Sequence, residues 1–191
     1  MSRFLSPKFI GLDPYVPGEQ PKDNAYVKLN TNESPFPPSE KALAYASENV
    51  RPLNLYSDPE NSALRKALAD RFGIEPSMVT VTNGSDEALN FAFMAFCDED
   101  TPAYFADITY GFYPVFARVN SVPYFEVPLR EDLSVDIDDY ADLKGTVFIA
   151  NPNAPTGLAL DPCRIEELLA ADPGRVVVVD EAYVDFGGES A

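Results

Sequence analysis

Two polar clusters, each directly after an apolar run, hold the residues of this chain best suited to chemistry. Asp180-Glu181-Ala182-Tyr183 follows Val176-Val177-Val178-Val179, and Asn151-Pro152-Asn153-Ala154-Pro155-Thr156-Gly157 follows Thr146-Val147-Phe148-Ile149-Ala150. Consecutive valines bounded by Pro173-Gly174 and by acids read as a strand buried on both faces of a parallel sheet. Asp180 then stands at that strand's carboxyl end, the edge where open α/β sheets bind ligands, although the same carboxylate also suits a cap on the following turn. A third cluster, Asn83-Gly84-Ser85-Asp86-Glu87, leads from Val79–Thr82, a strand by alternation, into an apolar helix. Its free backbone N–H groups, and a glycine that permits close approach, suit a phosphate. An ordinary helix start, with Ser85 as N-cap and two acids in the first turn, accounts for the same residues. In Thr109-Tyr110-Gly111-Phe112-Tyr113, an aromatic at a strand end is placed to stack on a flat heterocycle, in a chain whose 10 Tyr and 13 Phe serve mostly as core.

The elements that must position these clusters follow from periodicity. A helix-like segment, Asp161 to Ala171, joins the two strands into a βαβ unit with both clusters on one rim. Ala103–Ala106 and Val122–Val127 read as further strands, and Arg130 to Lys144 as an acidic surface connection. The helix from Ala88 to Cys97 is apolar almost all round, which predicts complete burial. Upstream, Pro38 to Glu48 reads as a short helix. A second begins at Asp58 as N-cap and Pro59 as first helical residue, presents Leu64, Ala67, Leu68 and Phe72 on one face, and stops at Gly73. Tyr56 stands just before it, placed to pack over the helix start. Residues 1 to 28 are rich in Pro and Gly and show no period, predicting an extended arm. The organisation expected is thus an arm over 1–28 and an α/β domain over 29–191.

Composition narrows the functions open to it. Of 191 residues, 46% are hydrophobic and 24% charged, ordinary for a globular domain; 31 acids against 14 basic residues give a formal charge of -17. That field opposes nucleic acid and anionic membranes as partners. The absence of histidine excludes from this chain Ser-His-Asp and Cys-His catalysis and any histidine-containing metal site. Cys97 and Cys163, far apart in helix-like apolar contexts, read as reduced packing residues of a cytoplasmic protein. No apolar run approaches the length of a membrane span, and no signal-peptide pattern opens the chain.

Taken together and in this order, NPNAPTG and VVVVDEAY resemble the large domain of the fold type I aminotransferases that depend on pyridoxal 5'-phosphate (PLP). Asp13-Pro14-Tyr15-Val16-Pro17-Gly18-Glu19 followed by Leu29-Asn30-Thr31-Asn32-Glu33 narrows the resemblance to the histidinol-phosphate aminotransferase family, with threonine-phosphate decarboxylases and aromatic aminotransferases as relatives. The resemblance implies a mostly parallel sheet with flanking helices and an amino donor and oxo-acid as substrates. It also implies a homodimer. Its site residues would be Gly84, Ser85 and Asp86 at the cofactor phosphate, Tyr110 over the ring face, Asp180 at the ring nitrogen and Tyr183 at the ring oxygen. Tyr56 would reach the partner subunit's cofactor, while Tyr15, Asn32 and Glu33 would lie near the substrate. Many members carry an asparagine directly before Pro-Thr-Gly; here that residue is Ala154, so the contact falls either to Asn153 through a shifted loop or to Tyr183 alone. The lysine to which the family attaches the cofactor is expected after the last residue, since no lysine lies beyond Lys144. On this reading the large domain is truncated and the fragment alone inactive. The opposing expectation is a non-enzymatic half-protein whose open sheet edge binds a partner.

Overall fold

A computed structural model describes residues 3–11, 19 and 27–191. The chain divides into two compact units, Met1–Leu12 with Thr82–Ala191, and Asp13–Val81.

The first unit is built on four parallel strands, β1 (Ala103–Ala106), β2 (Tyr124–Val127), β3 (Thr146–Ala150) and β4 (Val177–Asp180), in the order β2-β1-β3-β4. Around them lie α3 (Ser85–Phe96), α4 (Tyr113–Asn120) and α5 (Pro162–Ala171), which follow α1 (Glu40–Asn49) and α2 (Ser62–Phe72) in the chain. Alternation along each strand sorts the side chains onto two faces. Ala103, Phe105 and Phe148 join Leu89, Phe93, Tyr113 and Phe116 of α3 and α4. Val147 and Ile149 join Leu168 of α5 and Ile137 and Tyr140 on the other side. Because both faces are covered, all five residues of β3 are buried. Phe93 stacks on Phe148 with ring centroids 4.1 Å apart.

Several expectations change here. The valine strand is half-buried rather than buried, because β4 has β3 on one side and, among the described residues, no strand on the other. α3 is not buried all round: Leu89 and Phe93 face the sheet while Phe91, Met94 and Phe96 are exposed, since only one side of the helix has a layer to meet. Its N-cap is Gly84, at φ 80°, and Ser85 is the first helical residue. The connection 130–144 is not all surface: a 3-10 turn, Ile137–Tyr140, buries both its end residues. The buried Arg175 anchors it by donating to the carbonyls of Tyr140 (2.5 Å) and Leu143 (3.2 Å), and to that of Leu168 in α5 (2.9 Å). Cys97 is buried but Cys163 is exposed, and both are free thiols. Within the arm, Pro7–Phe9 forms a 3-10 turn packed near α4.

The second unit holds α1 (Glu40–Asn49) and α2 (Ser62–Phe72). The Ser39 hydroxyl caps α1 by accepting from the Ala42 N–H at 3.3 Å. α2 begins later than its capping signal predicted. The Asp58 carboxylate accepts from the Glu60 and Ser62 N–H groups, at 3.0 and 2.8 Å, so it caps an intervening turn and Asn61 becomes the N-cap. Of the expected apolar face, Leu64, Ala67 and Phe72 are exposed; Ala69 is the buried residue of this helix. Val79–Thr82 forms no ladder, for alternation makes a strand only where a neighbour pairs with it. No helix among the described residues is long and apolar enough to cross a membrane.

Candidate active site at the carboxyl ends of the strands

The chain passes from β1 to β2 on one side and then to β3 and β4 on the other, so its course reverses between β1 and β3. Such a switch point opens a crevice at the carboxyl ends of the strands. A cleft lies there, lined by Ser85, Tyr110, Ala150, Pro152, Ala154, Asp180, Ala182 and Tyr183. Four elements contribute: the start of α3, the loop after β1, the loop after β3 and the end of β4.

Asp180 is paired in register with Ala150, which places its carboxylate on the rim. One oxygen, Oδ1, accepts from the Ala182 N–H at 3.2 Å, so the residue does cap the following turn. The other, Oδ2, accepts from the Tyr113 hydroxyl at 2.9 Å. Tyr110 donates its hydroxyl to Asp86 Oδ1 at 2.7 Å and stands edge-on to the Tyr113 ring, 83° between planes. Burial, then the Asp86 hydrogen bond, pushes Tyr110 ionisation well above the usual phenol range; burial, then the Asp180 charge, does the same at Tyr113. Both phenols are therefore hydrogen-bond donors at any physiological pH. Among the described lining residues there is no lysine, arginine or histidine; the backbone N–H groups at the start of α3 are donors open to an anion.

Of the residues expected at the site, Ser85, Tyr110, Asp180 and Tyr183 converge on this cleft, with Gly84 preceding Ser85 and Asp86 bonded to Tyr110. Asn153 is not brought to it. Its side chain is consumed within the protein, accepting from the Thr109 hydroxyl at 2.7 Å and donating to Ile108 O at 3.0 Å and Thr156 Oγ1 at 3.1 Å. Ala154 faces the cleft instead. Asn151 closes the same loop, exchanging hydrogen bonds with the Leu160 backbone at 2.8 and 3.3 Å. In the second unit, Tyr56 is fully exposed and Glu33 pairs with Lys28 at 2.6 Å, a hydrogen bond that holds its carboxyl below the usual range. Asn32 adopts a left-handed backbone at φ 51°. Tyr15 lies outside the described residues. Tyr113 was not singled out from the sequence. Its spacing of three from Tyr110, across the turn into α4, was the available signal.

A parallel sheet whose loops after β1, β3 and β4 meet at one cleft is the architecture shared with the PLP-bound aminotransferase structure this chain matches. The family model for aminotransferase class I and II matches residues 24–191, and the chain belongs to that family. It is 54% identical over 192 residues to the histidinol-phosphate aminotransferase of Acetobacter pasteurianus, covering all of this chain and 54% of that protein. The histidinol-phosphate aminotransferase of Sinorhizobium meliloti, solved in complex with pyridoxal-5'-phosphate, matches 81% of this chain and 44% of its own at TM-score 0.75 and 25% identity. The L-threonine-O-3-phosphate decarboxylase of Porphyromonas gingivalis matches 80% of this chain and 48% of its own, at TM-score 0.67 and 25% identity. The chain spans about half the length of the curated relatives it matches. The resemblance carried by the NPNAPTG and VVVVDEAY motifs is thus the relationship found.

Proposed function

We propose that the protein is a PLP-dependent aminotransferase that moves an amino group from histidinol phosphate to oxoglutarate in histidine biosynthesis. The observation that carries this reading is the convergence of Asp180, Tyr183, Tyr110 and Ser85 on one cleft at the switch point of the sheet. In this reading residues 1–28 are the arm and 29–191 the first part of the large domain. The donor set fits the cofactor: the Asp180 carboxylate, the phenols of Tyr110 and Tyr183, and the start of α3 at Ser85, which Gly84 precedes as N-cap.

When bound, pyridoxal phosphate would supply an electron-accepting ring for the transfer of the amino group. Asp180 holds a proton at the ring nitrogen by charge attraction. Tyr183 donates to the ring oxygen. Tyr110 covers the ring face and, tied to Asp86, keeps water from that side. The N–H groups of the first turn of α3 hold the phosphate, favoured by the helix dipole. By the family resemblance, Tyr56 would complete the phosphate contact from a second copy, the active form being a homodimer, and Tyr15, Asn32 and Glu33 would serve the substrate. The residues described place no lysine on the cleft, so the amine chemistry requires a group from elsewhere in the full-length protein. The setting is the cytoplasm.

The test is turnover by the full-length protein. Glutamate formed from histidinol phosphate and oxoglutarate, dependent on added PLP, is the expected result. Decarboxylation of threonine phosphate in its place would support the relative typified by the P. gingivalis enzyme, and no turnover of either would overturn the proposal.

A further inference from the structure

We infer that Tyr113 is a positioning residue for Asp180, and so for the proton held at the ring nitrogen; this rests on the reading that the cleft takes PLP. Tyr113 has no exposed surface, and its ring is held by three others: Phe105 at 5.5 Å, Phe148 at 5.9 Å and Tyr110 at 5.7 Å between centroids. Its backbone is equally fixed, being the first residue of α4 with its N–H donating to Tyr110 O at 3.2 Å. The hydroxyl therefore has little freedom, and it donates to Asp180 Oδ2 at 2.9 Å.

Asp180 needs such a brace. It ends β4, and its remaining hydrogen bond, from the Ala182 N–H at 3.2 Å, comes from its own turn. A carboxylate anchored only by its own turn is free to rotate; one also gripped from the buried aromatic layer keeps one oxygen fixed and the plane of the group defined. Tyr113 is not itself one of the residues that line the cleft, so its hydroxyl acts on a bound ring through Asp180.

The experiment is a double-mutant cycle in the full-length protein, read as PLP affinity by fluorescence quenching, with near-ultraviolet circular dichroism confirming the fold. Tyr113→Phe keeps the ring and removes the donor. It is expected to weaken PLP binding about tenfold in the native background and less than about twofold in an Asp180→Ala background, because the coupling disappears with its acceptor. Equal losses in both backgrounds, the signature of ring packing alone, would overturn the inference while leaving the cofactor reading intact. A native protein that binds no PLP would overturn both. Should Tyr113→Phe not fold, the tyrosine hydroxyl band in the infrared difference spectrum between the native protein and Asp180→Ala reads the same contact: a shift supports it, and an unmoved band refutes it.

Discussion

The two units handle the same raw material in opposite ways. In the sheet-bearing unit, Phe93, Phe105, Phe148, Val147 and Leu168 are almost wholly hidden. In the helical unit, Leu43, Tyr45, Leu53 and Phe72 are all exposed, and α1 has no buried residue at all. Apolar content alone therefore does not decide burial. A helix stripe is buried only where a second layer faces it, and a strand only where both faces are covered. β3 and β4 repeat the lesson inside one sheet: two largely apolar strands, one central and buried, the other at the end of the order and half-buried.

Substitutions in the two units put this contrast to the test. Phe148→Ala removes a ring from the stacked pair with Phe93 and is expected to lower stability by about 3–5 kcal/mol, measured by urea denaturation. Gly145→Ala comes next: at φ +148° its new Cβ would lie 2.2 Å from Pro102 O, at the junction of β1 and β3. The backbone conformation alone costs roughly 1–3 kcal/mol there, and the same denaturation experiment reads it. By contrast, Leu43→Ala in α1 should change stability by no more than about 0.5 kcal/mol. A loss of several kcal/mol at that position would show that another surface covers α1 in the folded protein. The smallest effect is electrostatic. Hydrogen bonds from the Ser62 and Glu60 N–H groups hold the exposed Asp58 below its usual value of 3.8. A depressed folded value means this contribution is present above pH 3.8 and is lost as pH falls through the lower, folded value. Asp58→Asn should remove that acid-side loss from the stability profile of α2, as followed by helical circular dichroism.

Much of the fold and most of the candidate cleft were legible from local pattern. The apolar runs located β1, β3 and β4, and the polar residues after them marked the rim, because a parallel strand's carboxyl end follows directly from chain direction. Asp161 and Pro162 announced the start of α5, where the Asp161 carboxylate accepts from the Cys163 N–H at 2.9 Å. What sequence could not show is which neighbours an element finds. The exposed outer face of α3, the unpaired Val79–Thr82 and the half-buried β4 all depend on the presence or absence of an adjoining layer. Asn153 shows the same limit at the site: its residue type suits a ligand, but Thr109, Ile108 and Thr156, distant or looped back, take its hydrogen bonds. Tyr113 was hidden for the converse reason. Its partner Asp180 lies 67 residues away, and a tyrosine in an aromatic-rich stretch reads as core until the sheet brings the two together.

The cleft is proposed above as a PLP site governed by Asp180. That assignment is tested most directly by a crystal structure of the full-length protein grown with PLP. The expected result is the cofactor ring between Tyr110 and the β3–β4 rim, its nitrogen against the Asp180 carboxylate and its phosphate at the Ser85 end of α3. A cofactor bound away from Asp180, or a cleft that stays empty at saturating PLP, would contradict it.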